Sequence, residues 1–350
     1  MKNGLQKYKV NKDATVRQVI EHMDSELIKF VFVMNEKDEL CGLFTHGDMR
    51  KYFLKNGNMT VSIEVAMNTN PIVFYSYEEA QAVAKEKELI VYPIVDEEGH
   101  IIDAIYDCDE KPNAMISDAL SDVPLVIMAG GKGTRLYPYT KILPKALIPI
   151  GDITISERII QKFMRYGCQQ VYFIVKHKAN MIKSYFNDLE KTYQVDYVEE
   201  KEFLGTGGGL GLLKGKINQT CIVSNCDILV NCDFECALKT HHMNHNVITM
   251  ICAMKDVVIP YGVVETDNKG SVVKFNEKPE MSFLTNTGIY IVEPCVIQEL
   301  KENEFIHMPD IAQRYMDAGK NVGVFPISEK AWFDMGQFGE MENMLKELGV

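Results

Sequence analysis

The 350-residue chain carries 37 Lys+Arg against 49 Asp+Glu, a net charge of −12, with 46% hydrophobic and 25% charged residues. Its length fits about two or three domains of ~100–200 residues, and its composition is near the globular average, which excludes disordered, collagenous and coiled-coil chains. The acidity argues against nucleic-acid binding, and no run approaches the ~20 apolar residues of a membrane span.

No apolar segment follows Met1-Lys2-Asn3-Gly4-Leu5, so no secretory signal is expected. Nine cysteines are an odd count that suits reduced thiols, and a cytoplasmic location follows as an expectation. Positions 1–110 hold a net −8 and the remaining 240 residues −4, so the N-terminal part is the more acidic module.

That part repeats. Phe30–Phe44 reads as strand, acidic turn, strand, and Ile90–Ile105 reads the same way, with Asn35 meeting Asp96, Leu43 meeting Ala104 and Asp48 meeting Asp109. A helical face precedes each: Val16, Val19, Ile20 and Met23, then Ala80, Val83, Ala84 and Lys87. Two copies of a small α/β unit, about 7–57 and 61–110, are expected. The segment Gly42-Leu43-Phe44-Thr45-His46-Gly47-Asp48-Met49-Arg50 resembles the ending of a CBS motif, and residues 1–118 resemble a tandem CBS pair. The resemblance implies an adenine nucleotide whose ribose meets Thr45 and Asp48, and, since CBS pairs often associate, a homodimer. The second copy has Asp103 for Gly and Tyr106 for Thr, which implies a dead half-site. Two readings stand side by side: a nucleotide-sensing module, and a packing or dimerisation module without ligand.

Residues 110–122 are polar, with Pro112 and a helix cap expected at Ser117. From Val123 the pattern alternates. Strands are expected at 124–129, 171–175 and 220–225, and helices at 156–166 and 178–190. This predicts a mainly parallel, doubly wound α/β sheet with its ligand at the carboxyl ends of the strands. Cys221, Cys226, Cys232 and Cys236 precede His241, His242 and His245, but none of the spacings is the C-x2-C of structural zinc. Buried free thiols are the expectation there.

The first strand ends in Gly130-Gly131-Lys132-Gly133-Thr134-Arg135, and Lys145 follows Pro144 ten residues on. Glycines let backbone N–H groups close on phosphate oxygens, and two cations converging on one loop suit a triphosphate. The loop is neither a Walker A sequence nor a dinucleotide fingerprint. A second glycine-rich stretch, Leu204-Gly205-Thr206-Gly207-Gly208-Gly209, follows Glu200 and Glu202, either of which could accept guanine N–H groups or a cytosine amino group, or be an ordinary solvated carboxylate. Asp227 closes another strand.

Together these stretches closely resemble the sugar-1-phosphate nucleotidyltransferases over roughly 122–340. Five spaced motifs carry the likeness: Met128–Pro138, where Met128 stands for a Leu, with Pro144–Ile150; Leu204–Leu210; Asn225-Cys226-Asp227, where Cys226 stands for a Gly; Tyr261–Val264, Phe275–Pro279 and Asn286–Tyr290; and Trp332–Gly336. The resemblance implies a Rossmann-like mixed sheet of GT-A-like type over 122–350. It places Gly130, Gly131, Gly133, Thr134, Gly205 and Gly208 on the nucleotide, with Glu200 on the base. Gly262, Glu277, Lys278 and Asn286 fall on the sugar phosphate, Asp227 and Asp334 on Mg²⁺, and Arg135 and Lys145 in catalysis. It implies an NTP and a sugar 1-phosphate going to an NDP-sugar and pyrophosphate. The order CBS pair then transferase resembles guanylyltransferases of bacterial legionaminic acid pathways, pointing to GTP and glucosamine 1-phosphate. Mannose 1-phosphate with GTP comes next, then uridylyl or cytidylyl transfer. The alternative of another class is a nucleotide-sensing protein with an inactive transferase domain.

Overall fold

The computed structural model describes residues 5–26, 28–55, 58–84, 89–106, 116–336, 339, 341, 344 and 345. Two compact units emerge: Met1–Asp109 with Met254–Leu284, and Glu110–Ala253 with Thr285–Val350.

The N-terminal part of the first unit runs β1 (Lys9–Asn11), α1 (Val16–Ser25), β2 (Phe30–Met34), β3 (Leu40–Thr45), α2 (His46–Phe53), α3 (Tyr77–Ala84), β4 (Val91–Val95) and β5 (Ile101–Tyr106). Thr15 starts α1 with a capping box to Gln18, which satisfies two otherwise orphaned N–H groups. Val16, Val19, Ile20 and Met23 form its buried face, as their spacing predicts.

The repeat is visible in its irregularities. Asn35 Oδ1 accepts the N–H groups of Lys37 and Glu39; Asp96 Oδ1 accepts those of Glu98 and His100 in the same way. The β2–β3 ladder shifts register at Val33/Met34 and β4–β5 at Ile94/Val95. β1 lies parallel to β2, and Phe74 makes the corresponding parallel bridge to Ile94. The copies meet at their turns, where Leu40 N–H donates to Gly99 O. In α3 only Ala80 is buried. Lys87 and Asp109, expected to continue the match, lie outside the described residues. Ser117 caps a turn rather than a helix, its Oγ accepting from Ala119 N–H at 3.4 Å.

In the second unit come β6 (Leu125–Ala129), α4 (Tyr139–Ile142), β7 (Pro149–Ile150), β8 (Ile153–Thr154), α5 (Ile155–Met164), β9 (Gln170–Val175), α6 (Ala179–Asp188), β10 (Gln194–Glu199), β11 (Cys221–Asn225), β12 (Ile228–Val230) and α7 (Phe234–Met243). The chain then continues through β13 (Ile248–Val258), β14 (Val263–Thr266), β15 (Val272–Asn276), β16 (Glu280–Val292), α8 (Pro294–Glu299), α9 (Met308–Asp317), β17 (Val322–Ser328) and β18 (Trp332–Asp334). The main sheet has the order β10-β9-β6-β11-β16-β13-β17. β10, β9, β6 and β11 are parallel, and β16 is antiparallel to β11.

The central strand β6 is apolar throughout and β9 and β11 nearly so, because both faces are covered, whereas the edge strand β10 carries Gln194, Asp196 and Glu199. Leu125, Ile127 and Ala129 of β6 enter a core with Phe163, Phe173 and Phe186; Val126 enters a second core with Leu210, Ile297 and Ile311. This is the doubly wound α/β layering expected from the sequence.

The outer parts of β13 and β16, with the β14–β15 ladder, form an arm that clusters with the first unit. Met254 is buried in that unit's N-terminal core. Asp256 pairs with Arg17 at 3.0 Å and accepts from Ser282 Oγ at 2.5 Å. Gly262, Glu277 and Lys278 therefore ride on an arm rooted beside α1.

Candidate active site

β6 ends at Ala129 and the chain turns through the glycine loop. Gly133 adopts φ +65°, and a Cβ there would come within 2.9 Å of Thr140 Cγ2. Its carbonyl accepts from Thr140 Oγ1 at 2.9 Å. The left-handed conformation and the tight approach both call for glycine. The loop opens onto a cavity of about 280 Å³ at the carboxyl ends of β6 and β11. Gly130, Gly131, Gly133, Thr134, Arg135, Lys145, Glu200, Gly205 and Asp227, all singled out in the sequence, line it. Thr206 and Asn225, not singled out, line it too.

Lys145 and Asp227 form an ion pair across the cavity floor, with side chains only 12% and 11% exposed. A ladder brings the backbone of Asp334 close to that of Asp227: in the β12–β18 pair Ile228 faces Asp334, and Met335 N–H donates to Asp227 O at 2.9 Å; Asp334 itself does not line the cavity. The Asp227 carboxylate in the cavity, with Asp334 as the candidate second carboxylate, is a hard-oxygen donor set. That set fits a Mg²⁺ ion, which typically takes one or two protein carboxylates.

Glu200 continues from β10, its N–H donating to Val175 O. It is buried at 3% exposure, and its Oε1 has no hydrogen-bond partner. Its carboxylate is wedged between two glycines. A Cβ on Gly130 would lie 2.3 Å from Oε2, and one on Gly209 2.7 Å from Oε1. Burial pushes the carboxyl up to about 7, against the opposing influence of the Leu204 N–H and the Lys176 charge. Glu202, the other candidate, is a solvated residue with a 91% exposed side chain, 3.4 Å from Lys176 Nζ.

Gly208 takes a different part from the one the resemblance implies. It is buried but does not line the cavity; a Cβ there would come within 2.0 Å of Glu304 O. Its glycine serves chain packing. Gly208→Ala is therefore expected to cost about 1–3 kcal/mol by overpacking and to lower the melting temperature by several degrees. Gly131→Ala, where nothing lies within 4 Å of the new Cβ, should leave it unchanged in the same thermal melt.

Asn286 sits on the strand, donating from Nδ2 to Tyr290 Oη at 2.6 Å and accepting from Gly288 N–H at 3.0 Å. On the arm, a Cβ at Gly262 would meet Glu277 Oε2 at 2.8 Å, so glycine and carboxylate adjoin there. Lys278 is exposed and held at φ +46°. In the N-terminal unit Thr45 and Asp48 form the capping box of α2, with Thr45 Oγ1 donating to Asp48 Oδ2 at 2.7 Å. Cys221 and Cys226 are buried free thiols, both pushed up to about 12 by desolvation.

A doubly wound domain whose polar cavity lies at the carboxyl ends of parallel strands defines the class: an α/β protein with its cavity where such folds bind ligands. The chain belongs to the nucleotidyl transferase family, whose model matches residues 125–348. A CBS domain matches residues 7–55.

Among curated relatives, a UTP–glucose-1-phosphate uridylyltransferase of Synechocystis sp. is 31% identical over 61% of this chain and 60% of its own length. A mannose-1-phosphate guanylyltransferase of Mycobacterium tuberculosis is 29% identical over 62% of each. The chain thus spans about three-fifths of the length of these two. A D-glycero-alpha-D-manno-heptose 1-phosphate guanylyltransferase of Campylobacter jejuni is 29% identical over 54% of this chain and 84% of its own length. The crystal structure of HddC from Yersinia pseudotuberculosis matches with TM-score 0.52 and 23% identity, over 65% of this chain and 99% of that one, and shares the fold. No helix among the described residues is long and apolar enough to cross a membrane.

Proposed function

We propose that the protein is a sugar-1-phosphate guanylyltransferase that converts GTP and glucosamine 1-phosphate to GDP-glucosamine and pyrophosphate, for legionaminic acid-type surface glycans. The observation that carries the base assignment is Glu200. A buried carboxylate with an unpartnered oxygen shares one cavity with Arg135, Lys145 and Asp227. Guanine offers N1–H and N2–H on one edge, and an ionised carboxylate accepts both. Leaving such an acceptor unmatched costs roughly 1–3 kcal/mol or more, which discriminates against bases without that pair of donors. The amino sugar rests on the domain order of the chain.

In this reading the nucleophile is a phosphate oxygen of the sugar 1-phosphate, ionised at neutral pH because a phosphomonoester's second pKa is ~6. It attacks the α-phosphorus, the bond from that phosphorus to the bridging oxygen breaks, and pyrophosphate leaves with that oxygen and its electron pair. No general base is required, so catalysis is charge neutralisation and in-line positioning. Arg135 neutralises the departing pyrophosphate. Lys145 exchanges its contact with Asp227 for phosphate oxygens as the triphosphate enters. Asp227 and Asp334 would hold Mg²⁺, which as a Lewis acid lowers the cost of charge on the phosphate oxygens. Gly262, Glu277, Lys278 and Asn286 serve the sugar phosphate, Lys278 by charge and Glu277 as acceptor. At the CBS pair, Thr45 and Asp48 mark the half-site for an adenine nucleotide.

One observation favours a second base. With its pKa near 7 the Glu200 carboxyl is half neutral at neutral pH, and a neutral carboxyl has the donor and acceptor that match uracil. The test crosses ATP, CTP, GTP and UTP with glucosamine, mannose, glucose and N-acetylglucosamine 1-phosphates and follows pyrophosphate release in Mg²⁺. Turnover confined to GTP with glucosamine 1-phosphate is expected. UTP preference would replace the base assignment, and mannose 1-phosphate preference the sugar. Silence across the grid from folded protein would favour the inactive, nucleotide-sensing alternative.

A further inference from the structure

The last turn of α7 carries two adjacent histidines, His241 and His242, and β16 runs into Glu293, the residue before α8. Strand register brings these ends together. Val292 faces Cys221, so Glu293 and Thr220 adjoin at the start of β11. Asn225 closes the other end of that five-residue strand and Asp227 lies just beyond it, with Asn225 about 13–17 Å away by strand rise. The cluster is therefore separate from the cavity described above.

His241 Nε2 lies 2.9 Å from Glu293 Oε1, and His242 Nε2 4.0 Å from the same oxygen. Thr220 Oγ1 is 2.7 Å from that oxygen and 3.4 Å from His242 Nε2. One ligand atom from each of His241, His242 and Glu293 falls within 4.8 Å of the other two. The outer support is built as well. His241 is fully buried, and its Nδ1 is 2.8 Å from the Thr249 hydroxyl, which also accepts from Asn246 Nδ2 at 2.9 Å. That contact can take the Nδ1 proton and leave Nε2 as the ligating atom, the arrangement of metal-bound imidazoles. The side chains of His242 and Glu293 are 54% and 30% exposed, so an ion could enter and keep a water.

We propose that His241, His242 and Glu293 bind a divalent cation of the Zn²⁺ class. Two imidazoles and a carboxylate prefer such an ion to Mg²⁺. Zn–N and Zn–O bonds of about 2.0–2.2 Å set tetrahedral ligand atoms roughly 3.3–3.5 Å apart. The observed 2.9 and 4.0 Å bracket that separation, so shifts of about half an ångström, which the exposed His242 and Glu293 can make, complete the site. The ion would clip the end of α7 to the end of β16, so the site is structural and stabilises the fold by mass action.

The test is calorimetric titration of chelator-treated full-length protein with ZnCl₂ in excess Mg²⁺, with Co²⁺ absorption as a second readout. The proposal expects one ion per chain, a rise in melting temperature, and intense visible Co²⁺ bands from a tetrahedral site. His242→Ala and Glu293→Gln should each weaken Zn²⁺ at least 30-fold, whereas His245→Ala, at the same helix end but outside the cluster, should bind normally. Wild-type affinity in both of the first two variants would overturn it. So would wild-type protein that takes up no ion, or that gives only weak octahedral Co²⁺ bands, outcomes that need no variant to fold.

Discussion

Asp227→Asn is expected to lower turnover with GTP and glucosamine 1-phosphate by about 10³-fold or more, a loss of ~4 kcal/mol of transition-state stabilisation, while the folded structure persists. Asp227 is placed by backbone: its carbonyl accepts from Met335 N–H, and the next residue pairs with Asp334 across the β12–β18 ladder. The amide keeps the shape and an oxygen for Lys145. The lost quantity is the negative charge of Asp227 in the cavity. Asp334→Asn, from the other strand of the ladder, should show the same loss independently. The readouts are pyrophosphate release and circular dichroism. Near-normal turnover in folded Asp227→Asn would remove the residue from the mechanism.

Glu200→Gln should lower kcat/KM for GTP by about 10²–10³-fold, roughly 3–4 kcal/mol, because one of two charge-assisted bonds to guanine is replaced by an apposed N–H. It should raise kcat/KM for UTP, since an amide matches the donor and acceptor of uracil. The carboxyl also makes a signed pH prediction. Its pKa is raised from 4.5 to about 7 by burial, so between those values the folded chain holds a proton that the unfolded chain has released. Ligand-free stability is then greatest below pH 4.5, as far as this group is concerned, and falls as pH rises through 7. Glu200→Gln should lose that slope in thermal melts. Guanine N–H groups favour the ionised form, so the KM for GTP should fall between pH 6 and 8. A KM for GTP that rises over that range would indicate recognition by the neutral carboxyl, the pattern expected for uracil.

The parts of the site that were legible in the sequence are those in which chemistry and fold share a short segment. The β6 run ends directly in the glycine loop with Arg135, and Asp227 follows β11 by two residues; strand, turn and charged group are consecutive. The repeat was legible for the same reason, and its Asx turns and register shifts recur 61 residues apart.

What escaped depends on distant contacts. Glu200 and Glu202 are alike in sequence, and only the approach of Gly130 and Gly209 buries the first. Gly208 belongs to a glycine-rich stretch that reads as one ligand loop, yet the chain at Glu304 occupies its free face. The spacing of His241 and His242 matches no local metal pattern, because their third partner is Glu293, 52 and 51 residues on. The arm is similar. Tyr261–Val264 and Phe275–Pro279 read as parts of one transferase sequence, and the burial of Met254 beside α1 roots them in the first unit.

The most direct measurement is a ³¹P NMR time course of the full-length protein with GTP, glucosamine 1-phosphate and Mg²⁺. The account predicts that the GTP and sugar phosphate resonances fall together while pyrophosphate and the two phosphorus resonances of GDP-glucosamine rise in equal amounts. Release of orthophosphate without a new diphosphate sugar, or unchanged spectra from folded protein that binds GTP, would contradict it.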